Sequence, residues 1–334
     1  MKTAVPEQIL IVSTNWIGDA IMSMPAVQLL RQTRPAAEIT VLTKPGLKAL
    51  WQMHPAAGRI RTLEEIIPTI VKLRQTHFDR AYIFPNSFRS AFVPFMAGVP
   101  RRIGARGEWR RLMLTETVRL PEGHQQFEYM KILGLQGEPP VPQISVPVES
   151  LQSLEVRLAS FPTFRRAERQ IVTLLPGAAR GPSKRWPAEY FARLSKKLHA
   201  ELGAQILLGG GPDDAAVCAE IATAAGSDVI SLAGRTTISE WAALLKISDC
   251  VVSNDSGGMH LAAAVGTPVA AIFGLTDPGK TGPLGRSVVL QKSAVQSRDV
   301  TRDSDAARRA LAAVTPDEVF TAVTALLAGT SRAG

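Results

Sequence analysis

Short apolar blocks alternate along the chain with longer stretches in which apolar residues recur every third or fourth position. These are the periods of a strand and of an amphipathic helix. In the first half, residues 9–13 and 38–43 read as strands, and residues 19–33 between them as a helix with Ile21, Met24, Ala26, Leu29 and Leu30 facing inward. A strand at 81–84 leads into a helical pattern over 87–96. This βαβα alternation predicts a parallel sheet covered on both faces.

The same grammar restarts in the second half. Strands are predicted at 171–175, 205–208, 229–231, 250–253 and 269–273, with helices at 188–202, 213–225 and 238–248. A weakly periodic stretch from about Gly137 to Arg169, opened by Glu138-Pro139-Pro140-Val141-Pro142, separates the halves. The expected organisation is two similar α/β domains, 1–165 and 166–334, with a cleft between them. Ligands of such sheets bind at the carboxyl ends of the strands. Residues 293–309 are polar and charged and read as a loop or frayed helix. Thr315-Pro316-Asp317-Glu318 then caps a last helix through Leu327, left free to pack back on the N-terminal domain.

Composition narrows the classes. The 334 residues, 46% hydrophobic and 20% charged, suit two globular domains with full cores. No apolar run approaches the roughly 20 residues of a membrane span. The residues ahead of the first strand lack the apolar segment and cleavage site of a signal peptide. Cys218 and Cys250 fall inside a predicted helix and strand, which argues against a disulfide framework and fits a reducing cytoplasm. The net charge of +9, with a pI near 9.9, predicts an anionic partner. Nucleic acid, an anionic membrane surface and a phosphorylated substrate all satisfy it.

The sharpest chemical signal is Ser253-Asn254-Asp255-Ser256-Gly257-Gly258-Met259-His260. A β-branched strand enters a polar, glycine-bearing turn that opens an alanine-rich helix. That arrangement offers free amides and the positive end of a helix dipole to a phosphate. Gly257 and Gly258 are expected to let the backbone approach the ligand, with Asp255, Ser256 and His260 as polar handles. The loop from Pro176 to Pro187 follows the first strand of the second half and carries Lys184 and Arg185. It is expected on the same sheet edge, which favours a diphosphate.

In the first half, the strand at 9–13 runs into Asn15-Trp16-Ile17-Gly18-Asp19. No G-x-G-x-x-G occurs, so a dehydrogenase fingerprint is absent. Asp19 reads either as a helix-capping carboxylate or as a general base held at the cleft. The densest basic region holds Arg89, Arg101, Arg102, Arg106, Arg110 and Arg111, interleaved with Phe88, Phe92, Phe95 and Trp109. Without a recognisable nucleic-acid module, a phosphorylated, membrane-anchored acceptor accounts for it equally well. The five histidines show no metal-ligand spacing, and Asp303-Ser304-Asp305 matches a D-x-D pattern without a preceding strand.

Together these motifs resemble the lipopolysaccharide heptosyltransferases, most closely their heptosyltransferase II branch. The resemblance rests on residues 15–19, 78–90, 176–178, 181–187 and 253–260 in that order, and covers nearly the whole chain. It implies an α/β GT-B fold, two Rossmann-like domains facing each other across a cleft, and an inverting, metal-independent glycosyltransferase with no cofactor. The donor would be ADP-L-glycero-D-manno-heptose, and the acceptor the inner-core heptose of lipopolysaccharide on phosphorylated lipid A. The enzyme would be cytoplasmic and peripheral on the inner membrane, with no nucleic-acid partner. Asp19 matches the catalytic base. Lys184, Asp255, Ser256, Gly257, Gly258 and His260 match the donor site, with Asp213 near the nucleoside. Asn86, Arg89, Arg101, Arg102 and Arg106 are assigned to the acceptor. The alternatives are another GT-B enzyme, such as a transferase with a different donor or a sugar-nucleotide epimerase, and a non-catalytic binder of sugar nucleotides or anionic lipid. Unlike that branch, 291–309 carries no cysteine.

Overall fold

The computed structural model describes residues 6–107, 109–165, 168–226, 228–294 and 300–329. It divides into two compact units, Met1–Ser145 and Val146–Gly334.

The first unit runs β1 (Gln8–Val12), α1 (Ile17–Thr33), β2 (Glu38–Thr43), α2 (Lys48–Gln52), β3 (Arg59–Thr62), α3 (Ile66–Arg74), β4 (Arg80–Ile83), α4 (Phe88–Met96), β5 (Arg101–Ala105), β6 (Glu116–Val118) and α5 (Gln126–Ile132). Its six strands pair in parallel in the order β3-β2-β1-β4-β5-β6. β1 is buried beyond its first residue, as a central strand covered on both faces should be, and α1 is buried from Ala20 to Gln28. Leu29 is only half-buried, and the polar Gln28 takes the buried position. Gln28 donates to Val141 O at 3.2 Å and accepts from Gln143 N at 3.2 Å, fastening the proline-rich segment to α1.

The second unit runs α6 (Val148–Ala159), β7 (Ile171–Leu175), α7 (Ala188–Leu202), β8 (Gln205–Leu208), α8 (Ala215–Ala225), β9 (Val229–Ser231), α9 (Ile238–Ile247), β10 (Cys250–Asn254), α10 (Gly257–Ala264), β11 (Val269–Phe273), α11 (Pro278–Thr281), β12 (Ser287–Gln291), α12 (Asp305–Ala312) and α13 (Pro316–Ala328). Its parallel sheet has the order β12-β11-β10-β7-β8-β9. Numbered from the first strand of each unit, both sheets are 3-2-1-4-5-6, the doubly wound order. The order reverses between the first and fourth strands, and there helices leave on opposite faces and open a crevice at the strands' carboxyl ends.

Two boundary expectations change. The units part at Ser145/Val146, twenty residues before the expected 165/166 break, because α6 belongs to the second unit. Leu154 and Leu158 bury against Ile171, Leu207, Ile230 and Leu244. Glu240 accepts from Ser153 Oγ at 2.6 Å and from Arg157 Nη2 at 3.1 Å. Its burial works against ionisation, but these bonds and those from Thr237 hold its carboxyl down at about 2. The last helix, α13, stays within the second unit. Val319, Val323, Leu326 and Leu327 share a core with Val172, Val252 and Ile272, and α13 lies against α7, β10, β11 and β12.

Of the polar segment 293–309, residues 295–299 lie outside the described residues, and 305–309 open α12 rather than a loop. Ser304 caps that helix, and Ala307 and Leu311 are buried beneath it. Asp303 and Asp305 both pair with Arg308, so the D-x-D pattern forms a helix-start ion cluster. Cys218 and Cys250 are buried free thiols, and burial pushes both up to about 12, too high for a thiolate at neutral pH.

Candidate active site

Each unit's switch point can be followed separately to the side chains that surround it. In the second unit, β7 and β10 are neighbours, so the loops that follow them leave side by side. Lys184 ends a short 3-10 turn after β7, and Asp255 follows β10 directly. The two form an ion pair with side chains only 14% and 7% exposed. Thr276, just beyond β11, donates its hydroxyl to the same carboxylate oxygen at 2.7 Å. Nζ of lysine carries three donors. Asp255 uses one and aims the ammonium, leaving the others for an incoming anion.

Asn254, the last residue of β10, pins both ends of the loop after β7. Its Nδ2 donates to Pro176 O at 2.8 Å, and its Oδ1 accepts from Trp186 N at 3.0 Å. Ser183 is similarly held, donating to Thr301 O at 2.6 Å and accepting from Ser304 N at 2.7 Å. Lys184 therefore sits on a braced loop. Beside it, Ser256 occupies the N-cap of α10 in extended conformation, and its side chain caps none of the helix's amides. Ser256 Oγ lies 3.3 Å from Ser253 Oγ. The first amides of a helix lack intrahelical acceptors, so this end presents N–H groups and the positive pole of the helix dipole.

Gly258 has a different explanation from the one the sequence suggests. A Cβ on Gly258 would stand 2.6 Å from Leu175 Cδ1 and 2.9 Å from Trp241 Cζ2. Gly258 is thus needed for α10 to lie close against β7 and α9, and that close packing sets where Ser256 and the amides fall. His260 is buried in α10, only 4% exposed.

Asp213 is exposed on its 3-10 turn, whereas its neighbour Asp214 turns inward. Asp214 Oδ2 accepts from Gly211 N at 3.0 Å, and Oδ1 lies 3.8 Å from Arg185 Nη2. A Cβ on Gly177 would fall 2.1 Å from Asp214 Cγ, so that glycine exists to admit the carboxylate. Asp214 links the loops after β7 and β8. The G-G-G-P-D-D run signals an acid there, but only packing selects which one.

In the first unit, the switch point lies between β1 and β4, and the segments after them carry Asp19, at the start of α1, and Asn86, in the loop before α4. Asp19 is the third residue of α1, whose N-cap is Trp16, so it is a first-turn carboxylate at the helix's positive end. It is half-buried, and Oδ1 accepts from Gln125 Nε2 at 3.2 Å. Gln125 also donates to Tyr129 Oη at 2.6 Å, which places this partner firmly at the start of α5. Sequence reading missed Gln125, because a lone glutamine far along the chain carries no motif.

The arginines separate into two groups. Arg89 is exposed in the first turn of α4, and Arg106 is exposed just after β5. Arg101 and Arg102 stand at the opposite end of β5, about 13 Å away at a strand's rise of about 3.3 Å per residue. Arg101 is paired with Glu116 at 2.6 Å. Arg102 donates to the carbonyls of Val99, Pro100 and Met113 (2.6 Å to Met113). Both serve the β5–β6 connection, and the structure does not bring them to the carboxyl edge expected of an acceptor site. Arg110 is the reverse case. Its side chain is 1% exposed, Nη1 donates to Pro85 O at 2.5 Å, and Asn86 Oδ1 lies at 3.5 Å. Burial lowers its pKa, and Gly104 has no Cβ because one would lie 2.5 Å from Nη2. Among the described residues, no group of three or more His, Cys, Asp or Glu side chains is placed to hold a metal ion.

With this geometry in view, comparisons with known proteins agree on one family. The sequence model of glycosyltransferase family 9 (heptosyltransferase) matches residues 69–308. The chain is 32% identical to lipopolysaccharide heptosyltransferase 2 of Escherichia coli K12, across 96% of this chain and 98% of that one. It is 31% identical to lipooligosaccharide heptosyltransferase 2 of Haemophilus ducreyi, across 96% and 99%. Among solved structures, that of E. coli ADP-heptose lps heptosyltransferase II superposes with a TM-score of 0.85 at 29% identity, covering 96% of this chain and 99% of that one.

Proposed function

The chain belongs to glycosyltransferase family 9, the heptosyltransferases, and from that premise we propose that it transfers heptose from ADP-heptose to the inner-core heptose of lipopolysaccharide carried on lipid A. The observation that carries this reading is the braced Lys184–Asp255–Thr276 cluster beside the uncapped start of α10, at the switch point of the second sheet. A fixed cation and helix amides suit the diphosphate of a nucleotide sugar.

In this reading the acceptor hydroxyl attacks the anomeric carbon of the donor while Asp19 takes its proton. The bond from that carbon to the diphosphate oxygen breaks, and ADP departs with the electron pair. A single displacement inverts the anomeric centre. A positioned base contributes roughly 10²–10⁴-fold, and Gln125 keeps the Asp19 carboxylate oriented. Lys184 and the amides at the start of α10 stabilise the charge growing on the leaving diphosphate, the work a metal ion performs in other transferases. Asp255 acts through Lys184, because a carboxylate would repel the diphosphate directly. Arg89, Asn86 and Arg106 meet the phosphorylated acceptor. The basic first unit supports peripheral association with the cytoplasmic face of the inner membrane, and among the described residues no single helix is long and apolar enough to cross one.

The test is incubation with ADP-heptose and defined inner-core acceptors. NMR assignment of the product linkage is expected to show inversion, and activity is expected to persist in EDTA. A retained configuration would remove the single-displacement mechanism, and complete loss in EDTA would remove the metal-free leaving-group stabilisation.

A further inference from the structure

The crossover from β5 to β6 displays apolar side chains at a cost that packing does not explain. Trp109 is 81% exposed and Leu112 is 86% exposed. Trp109 also adopts φ = 55°, and it is the one described non-glycine residue in the left-handed region. A bulky residue there is strained, and such strain persists only where surrounding structure enforces it. The enforcement here is Arg110, the next residue, whose buried guanidinium is tied to Pro85 O. One residue is locked under the loop so that its neighbour stands out in solvent.

The flank beside this loop has the same character. The turn at Arg110–Leu112 lies against α4. On α4, Phe88 and Phe95, two turns apart, are 53% and 42% exposed, and Phe92 between them stacks on Phe88 with ring centroids 5.9 Å apart. Between Asn86 and Met113 the chain has six arginines and a single acid. Arg89, Arg106 and Arg111 of these are exposed. Exposed aromatic and aliphatic side chains among exposed arginines form the combination that suits an anionic bilayer surface, with rings at headgroup depth and guanidinium groups on lipid phosphates. A protein partner of matching charge would require acids opposite the arginines and a pocket for each ring.

We propose that Trp109 and Leu112 form an insertion loop, held erect by Arg110, that docks the first unit on an anionic phospholipid bilayer. The proposal rests on the reading that the acceptor is borne by a membrane lipid, and it adds which residues enter the bilayer. Docking by this loop would keep the first unit at the surface where a lipid-borne acceptor presents its sugar.

The experiment uses the full chain, sedimented with vesicles of phosphatidylcholine alone or with added phosphatidylglycerol. The parent is expected to bind the phosphatidylglycerol vesicles and to be released at 1 M salt, where screening shortens from about 10 Å to about 3 Å. The double variant Trp109→Asn/Leu112→Asn, which replaces two exposed side chains and uses an amide tolerated in the left-handed region, is expected to bind about tenfold more weakly or worse. Its transfer to a delipidated, water-soluble acceptor should match the parent, whereas transfer to acceptor embedded in vesicles should fall. Equal vesicle binding by parent and variant would overturn the proposal, as would equal binding of the parent to neutral vesicles. A concentration-dependent dimer that the variant abolishes, without vesicle binding by the parent, would assign the face to a second copy instead. Absence of transfer to any acceptor would count against the proposed function and leave the vesicle result to judge the loop.

Discussion

Replacing Lys184 by methionine tests the site most directly, because stability and ligand binding should respond differently. The side chains of Lys184 and Asp255 are 14% and 7% exposed, so the pair is largely withdrawn from water. Removing the lysine leaves Asp255 buried with the Thr276 hydroxyl as a neutral donor. Breaking a buried pair from one side typically costs about 3–5 kcal/mol, whereas replacing both partners by neutral groups is often close to neutral. Lys184→Met should therefore destabilise the second unit by about that amount, and Lys184→Met/Asp255→Asn should regain most of it. ADP binding should not recover. A charge-assisted contact to the diphosphate contributes about 1.5–3 kcal/mol, or roughly 10–150-fold in Kd, and both variants lack it. Urea unfolding followed by tryptophan fluorescence gives the first quantity, and calorimetric titration with ADP gives the second. A double variant that binds ADP like the parent would refute the assignment of Lys184 to the diphosphate. A single variant as stable as the parent would refute the buried-pair argument.

Three further expectations follow from the geometry. Asp19→Asn should lower kcat by about 10²–10⁴-fold with ADP affinity unchanged, while Gln125→Leu should lower kcat less; near-normal turnover in Asp19→Asn would remove it as the base. Gly258→Ala should cost about 1–3 kcal/mol through overpacking against Leu175 and Trp241 and should weaken ADP binding, and an unperturbed melting curve would contradict the contact. His54 is buried, and burial lowers its pKa to about 4. As pH falls from about 6.5 toward 4, the unfolded chain gains a proton that the folded chain does not, so stability present above that window is lost within it, by about 3 kcal/mol. His54→Leu should flatten the pH dependence of urea unfolding between pH 7 and 4.5, and an unchanged slope would show that another group carries it.

Much of this was legible in the chain because it depends on local period and local turn chemistry. The central strands β1, β7, β10 and β11 are buried and mostly apolar, and the glycine-bearing turn before α10 follows one of them without a break. Edge elements were harder to read. β5 begins Arg101-Arg102 and contains Gly104, so its pattern reads as a basic patch rather than as a strand. β12 at the sheet edge is only half-buried, and α6 stands ahead of its unit's first strand, in a stretch where proline dominates the signal.

The sequence by itself determined the doubly wound alternation, the strand-turn-helix at Asp255 and the presence of a carboxylate near the start of α1. All of these arise from contacts within a few residues. Tertiary structure alone decided which groups meet. It placed Lys184 on Asp255 across 71 positions of chain, because parallel pairing of β7 with β10 brings their loops to one edge. It turned Asp214 rather than Asp213 inward, because Gly177 and Gly210 leave room there for one carboxylate. It set Arg101 and Arg102 at the far end of β5 against Glu116 and the carbonyl of Met113, and buried Arg110 with Nη1 on Pro85 O, because those acceptors lie on other elements that only the folded sheet brings close.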